Sequence, residues 1–235
     1  MMRFLCSVLG PKSSRLAYVT SAKNKSQKVM EQTFLSCNFA VIMARKKQFV
    51  REVVLEKAMK LFWEKGYYAT SMEDLVSTLG INRASMYNTF GSKYDLFEQA
   101  LDKYNATNSA RIADYLYYQL NVRRGLQLLF ENLITEALLG GSSKGCFMVN
   151  TTTELANLNP VLDKKLHDSR LSLETVFYNY LKYGVDNGQI SPYKDIKTIA
   201  AYLFTVQSGL YVNSKINSSK EELGKTVTTA LGILD

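Results

Sequence analysis

Thr70 to Lys93 constrains this chain more than any other stretch. Two short helical patterns lie within it, separated by a single glycine. Thr70 or Ser71 supplies an N-cap, and Glu73 and Asp74 follow in the first turn, where acids complement unpaired N–H groups and the positive helix end. Leu75 and Leu79 are four apart and share a face. Gly80 stops the helix, because glycine tolerates the left-handed backbone of a sharp turn. Ile81 fills the corner and Asn82 caps the second helix. There Met86 and Phe90, again four apart, face inward, which leaves Arg83, Ala84, Tyr87 and Asn88 outward. This is the build of a helix-turn-helix, whose second helix enters the DNA major groove. The residue types suit that groove: arginine reaches guanine edges, asparagine pairs with adenine, and alanine touches a thymine methyl. Tyr87 offers a ring and a hydroxyl to a thymine methyl or a phosphate. Asn82 stands at the entrance of the same helix and is counted with the DNA-facing set. Ser92 opens the next helix, so Lys93 and that helix N-terminus suit a phosphate.

A preceding helix completes a three-helix unit. Val50, Val54, Ala58, Leu61 and Phe62 recur at spacings of three and four, and Gly66 is the stop signal. Ahead of it, Arg45, Lys46 and Lys47 form a short arm that can reach phosphates or an adjacent minor groove. Such an arm reads equally well as a solvated segment.

The runs Ala58 to Ser71 and Leu79 to Leu96 resemble the N-terminal domain of TetR-type transcriptional regulators, with Leu75 where that family usually carries isoleucine. The resemblance implies an all-α homodimer: an N-terminal three-helix helix-turn-helix DNA-binding domain, then a C-terminal helical ligand-binding and dimerisation domain. It also implies that Thr70, Arg83, Ala84, Tyr87, Asn88 and Lys93 occupy DNA-contacting positions. The expected boundaries are 43–91 for the head and 92–235 for the body.

Composition must be used with care here. The net charge is +8, yet residues 1–42 alone contribute +5, residues 43–100 contribute +2 and residues 101–235 contribute +1. A basic chain is therefore no argument for DNA binding in this case; the head's cations are placed, not abundant. No window of about 18 apolar residues occurs, so no membrane-spanning helix and no membrane partner are expected. Three cysteines without CxxC spacing point to a reducing cytoplasm and no metal site. No cofactor is expected.

Residues 1–42 are rich in Ser and Lys, poor in acids and aperiodic. They are expected to be an extension, disordered or placed upstream of a physiological start at Met43, the alternative being a basic tail that adds nonspecific DNA affinity.

The body reads as a series of helices: Ser92 to about Tyr118, Asn121 to Leu139, a short one from Cys146 to about Ala156, one from Asn159-Pro160 to near Asn187, one from Ser191-Pro192 to about Asn217, and a last one capped by Ser218 or Ser219 through Leu234. By family analogy the last two long helices pair across a two-fold axis, with Ala200, Ala201, Ser208 and Gly209 permitting close approach. The body is crowded with aromatic residues. Tyr104, Tyr115, Phe147, Phe177, Tyr178 and Phe204 are the candidates for an apolar effector pocket, and core packing would use the same residue types.

Cys146 follows Lys144-Gly145 and begins a helix, so a helix dipole and a lysine can lower its thiol pKa. The string Gly145 to Thr151 resembles a subgroup of TetR-type regulators in which some members sense oxidants or electrophiles through a cysteine there, and the same resemblance places Lys215 at that subgroup's lysine. Inert packing is the competing reading. Enzyme chemistry is not expected, and no catalytic residue is assigned: the single histidine, His167, lies among charges on a helix. The chain thus reads as a repressor that binds a palindromic double-stranded DNA operator as a homodimer and is released by a small apolar or aromatic effector. The alternatives are a redox-sensing repressor acting through Cys146, and a helical small-molecule-binding protein without DNA binding.

Overall fold

The computed structural model describes residues 51–139, 144–216 and 219–235, of which 53–235 form one compact unit. The arm Arg45, Lys46 and Lys47, the 1–42 segment and part of the loop before Lys144 lie outside the described residues. Among the described residues there are α-helices, one closing 3-10 turn and no strands.

Helix α1 is described over residues 51–65 and ends at Gly66, whose N–H bonds to Phe62 O at 2.8 Å with φ at +82°. α2 spans Met72–Leu79 and is capped by Ser71, not Thr70. Ser71 Oγ accepts from Asp74 N while the Asp74 carboxylate accepts from Ser71 N, a reciprocal capping box. Gly80 adopts φ 69° and closes the helix with a bond to Val76 O, and this left-handed position is the reason a glycine stands there. α3 spans Arg83–Phe90; Asn82 Oδ1 accepts from Ser85 N at 2.8 Å. α4 runs Lys93–Tyr117, and its first turns complete the head while its remainder belongs to the body.

The head is held by Leu75 and Leu79 of α2, Met86 and Phe90 of α3, and Leu96 and Phe97 of α4, packed on Val54, Ala58 and Phe62 of α1. Phe62 stands edge-on to Phe97 at 5.2 Å, and Phe97 edge-on to Phe147 at 5.7 Å. One aromatic chain therefore crosses from α1 into the body.

The body adds α5 Val122–Leu138, α6 Phe147–Leu155, α7 Pro160–Asp186, α8 Ile196–Asn213 and α9 Lys220–Leu231, then a turn at Gly232–Leu234. Asn121, Asn159 and Ser219 cap α5, α7 and α9 through side-chain oxygens, and Pro160 occupies the first turn of α7. α7 packs most extensively on α8, while α5 packs on α9 and α4 on α7. Gly125 is required at one crossing, where a Cβ would collide with the Tyr180 hydroxyl.

α8 differs from its sequence expectation at both ends. It begins at Ile196, because the Asp195 carboxylate takes the N–H groups of Lys197 and Thr198 and so sets the cap beyond Pro192. It ends at Asn213, where Ser214 turns its hydroxyl back to Tyr211 O.

The Lys65 ammonium at 2.6 Å, with the Ser71 N–H and hydroxyl, holds the Asp74 carboxyl down at about 2, against an ordinary 3.8. A carboxyl depressed on folding stabilises the native state above its ordinary value and loses that contribution as pH falls through the folded value. The melting-temperature gap between the native chain and Asp74→Asn is therefore expected at about pH 5 and should close as pH approaches 2. A gap that widens on acidification would contradict this capping role.

Candidate nucleic-acid interface and head–body contacts

α3 is anchored on one side only. Met86 and Phe90 are buried, whereas Arg83, Ala84, Tyr87 and Asn88 are exposed. Arg83 and Asn88 make no hydrogen bond or ion pair with any described residue, so guanidinium and amide are available to an outside partner. The Tyr87 hydroxyl lies 4.0 Å from Met72 Sδ, which orients the ring along the α2–α3 corner. The Asn82 side chain is committed to capping α3. Lys93 sits at the start of α4 with Nζ 4.4 Å over the Tyr67 ring. Partial burial pulls its ammonium pKa down, while Glu154 and Asp74 oppose that shift. The N-terminus of α4 is already occupied by Asp95, which accepts from Ser92 N and Oγ. A phosphate there would meet the Lys93 charge, not a bare helix end.

Thr70 departs from its expected place. Its side chain is fully buried and Oγ1 donates to Gly66 O at 2.6 Å, fastening the α1–α2 turn. It presents no side chain outward, because the cap passed to Ser71.

The stretch 144–154 of the body is fastened to α1 and the turn after it. Lys144 pairs with Glu64 at 3.1 Å, and Trp63 Nε1 donates to Gly145 O at 3.1 Å. Glu154 of α6 accepts from Tyr67 N at 3.0 Å and Tyr68 N at 2.8 Å. These contacts join residues about 80 positions apart in sequence. Met59 and Trp63, four apart on α1, form a second apolar strip that was the one sequence signal for this seam. Glu154 carried none.

The six aromatic candidates for an effector pocket do not gather in one place. Tyr104 lines a cavity beside α1, and Phe147 is buried edge-on to it at 5.6 Å. Phe177 packs near Phe130 in the core, and Tyr115 accepts from Asn132 at 2.9 Å. Tyr178 is on the surface of α7, and Phe204 is half-buried on α8 beside a different hollow.

Cys146 is buried, with the Tyr104 hydroxyl 3.4 Å from Sγ. Burial pushes the thiol pKa up, against smaller pulls from Tyr104, the α6 N–H groups and Lys215. Lys215 is in electrostatic range of Cys146 but donates to Asn150 Oδ1 at 2.6 Å. Burial of Sγ thus outweighs the lowering that the helix start and the lysine would give. Alkylation of Cys146 by iodoacetamide is expected to run slower than that of free cysteine at neutral pH, and to accelerate only in alkali. His167 is exposed on α7, with Nδ1 3.5 Å from Arg170 Nη2. Among the described residues no His, Cys, Asp and Glu cluster suits a metal, and no helix is long and apolar enough to cross a membrane.

The fold and its outward helix define a helix-turn-helix regulator. Residues 54–100 match the family model for bacterial regulatory proteins of the tetR family, and residues 123–230 match that for the tetracyclin repressor-like C-terminal domain. The chain is 30% identical to the HTH-type transcriptional regulator YezE of Bacillus subtilis, over 82% of this chain and 100% of that protein. It is 30% identical to the HTH-type transcriptional repressor ComR of Escherichia coli, over 80% of this chain and 90% of that protein. A solved structure of the regulator CifR, a cysteine mutant complexed with 26-base-pair double-strand operator DNA, superposes with a TM-score of 0.71 at 25% identity. It covers 78% of this chain and 96% of CifR. The chain belongs to the TetR family of transcriptional regulators.

Proposed function

We propose that the chain is a cytoplasmic homodimeric repressor that binds a palindromic DNA operator through α3 and is released by a small apolar or aromatic effector. The observation that carries this reading is the one-sided burial of α3, with Arg83, Ala84, Tyr87 and Asn88 displayed and the polar ends of Arg83 and Asn88 unspent among the described residues. Operator DNA bound to CifR and the repressor activity named for ComR support it by relationship. Two heads, residues 43–91 of each protomer, occupy major grooves whose half-site centres lie about one helical turn, or a multiple of it, apart. Arg45, Lys46 and Lys47 reach phosphates or the adjoining minor groove, and Lys93 holds a phosphate.

Dimerisation falls to the exposed side of α7 and α8 in the body, residues 92–235. Leu171 and Tyr178 on α7 and Tyr202 and Val212 on α8 are apolar and exposed, and Gly209 faces open space. The outer face of α9 carries instead Lys220, Glu221 and Lys225. Effector binding favours a head spacing that mismatches the operator, so DNA affinity falls by linkage.

The test is a gel-shift series on a fragment selected from genomic DNA. Arg83→Ala is expected to cost about 1–3 kcal/mol and relax base preference. Lys93→Ala should weaken all sequences alike and lower the salt slope by about 1. Tyr87→Ala should weaken binding while the dimer elutes unchanged from a sizing column. Native affinity from all three mutants overturns the assignment of α3 and the α4 start to DNA.

A further inference from the structure

A cavity of about 370 Å³ lies between α1 and the body. Met59 and Trp63 form its α1 side, Tyr104 and Tyr211 belong to α4 and α8, and Ala137 comes from α5. The rim is polar but balanced. Arg111 Nη1 donates to both Glu136 oxygens at 2.9 Å, and Lys144 is matched by Glu64 at 3.1 Å. An anionic ligand would have to displace Glu136 from Arg111, and a cationic one would have to displace Arg111 from Glu136.

Ala137 and Tyr211 also border a second, water-sized space of about 10 Å³, which Gln207 lines. Gln207 is 2% exposed on α8. Its side chain bonds Tyr211, while its Oε1 is buried with no hydrogen-bond partner among the described residues. A buried carbonyl oxygen left unpaired is costly, and a donor from a bound molecule removes that cost. The Tyr104 hydroxyl spends its proton on Cys146 Sγ, so among the polar groups at hand it is Gln207 Oε1 that stands without any partner among the described residues.

We propose that this cavity is the effector site and that its ligand is a neutral planar aromatic molecule with one hydrogen-bond donor, a phenol in its simplest form. The ring lies against Trp63, Tyr104 and Tyr211, and the hydroxyl reaches past Ala137 and Tyr211, which border both spaces, into the smaller one to donate to Gln207 Oε1. This deepens the effector-released reading and rests on it. The site also suits transmission to the head, because Trp63 is edge-on to Tyr104 at 5.1 Å and bonded to Gly145 O. A ring entering between them moves α1, which carries the head's core residues Val54, Ala58 and Phe62.

Trp63 is the single tryptophan of the chain, so tryptophan-selective excitation reports on this cavity. The full chain is titrated with 4-ethylphenol, 4-ethylanisole and 4-ethylbenzoate. The phenol is expected to shift Trp63 emission saturably. The anisole, which lacks the donor, should bind roughly tenfold more weakly, the usual worth of one such hydrogen bond. The benzoate should not saturate. Gln207→Met should lower phenol affinity to that of the anisole and leave the anisole unchanged. Ala137→Leu, which fills the cavity from α5, should weaken both neutral ligands. Far-ultraviolet circular dichroism of each variant checks that the helices persist. Equal affinity for phenol and anisole, or native phenol affinity in a folded Gln207→Met, overturns the proposal. The gel shift without ligand separates the two readings: DNA binding with no phenol response removes this site alone, and phenol binding with no DNA binding removes the regulator.

Discussion

Phe62→Ala is expected to destabilise the chain by about 3–5 kcal/mol, the usual cost of truncating a fully buried phenylalanine to alanine. Phe62 has no exposed surface and stands edge-on to Phe97 at 5.2 Å, with the Tyr67 ring at 6.3 Å. The hole would lie beside the Tyr67 and Phe97 rings, in a core shared with α2, α3 and α4, which can collapse only partly. The loss should appear as a lower urea midpoint at fixed protein concentration, since the stability of the proposed homodimer would depend on it. Phe62→Leu should cost markedly less. A loss below about 1 kcal/mol for the alanine variant would mean that this ring does not hold the head together.

Glu154→Ala has the second-largest expected effect, and it reaches function as well as stability. The carboxylate accepts from two successive backbone N–H groups, Tyr67 N and Tyr68 N. Charge-assisted bonds of this kind contribute about 1.5–3 kcal/mol each, and the partial exposure of this pair argues for a combined loss of roughly 2–4 kcal/mol. Removing it also frees the α1–α2 turn from α6, so the head is no longer positioned by the body. Operator affinity should fall although no exposed side chain of α3 has changed. Glu154→Gln restores one acceptor but sets an amide N–H against the other backbone donor, so it should rescue only in part. Hydrogen exchange at Tyr67 and Tyr68 gives the direct reading; unchanged protection in Glu154→Ala would sink the idea of a latch here.

The head was legible because its signals are local. Ser71 with Asp74, Gly80, Asn82 and the pair Met86 and Phe90 act within four residues of one another, and each helix end follows from them. The same holds for Asn121, Pro160 and Ser219 in the body. Where two local signals competed, the text misled. Pro192 looked like a helix start, but the Asp195 carboxylate offers a stronger cap three residues later. Thr70 and Ser71 were both able to cap α2, and only the geometry of the turn gave the role to Ser71 and buried Thr70 against Gly66 O. Cys146 left two readings open for a related reason. A helix start and a nearby lysine favour a thiolate, yet full burial outweighs both, and burial is not a local property.

By itself, the order of residues determined the all-helical architecture, the helix-turn-helix and the outward set Arg83, Ala84, Tyr87 and Asn88, because helix periodicity and capping are settled by neighbours along the chain. Tertiary structure alone decided that Glu154 grips the turn after α1, that Trp63 walls a cavity with Tyr211, and that Gln207 Oε1 is left without a donor among the described residues. Those outcomes depend on which helix faces meet across tens of residues, and packing, not sequence spacing, sets that choice.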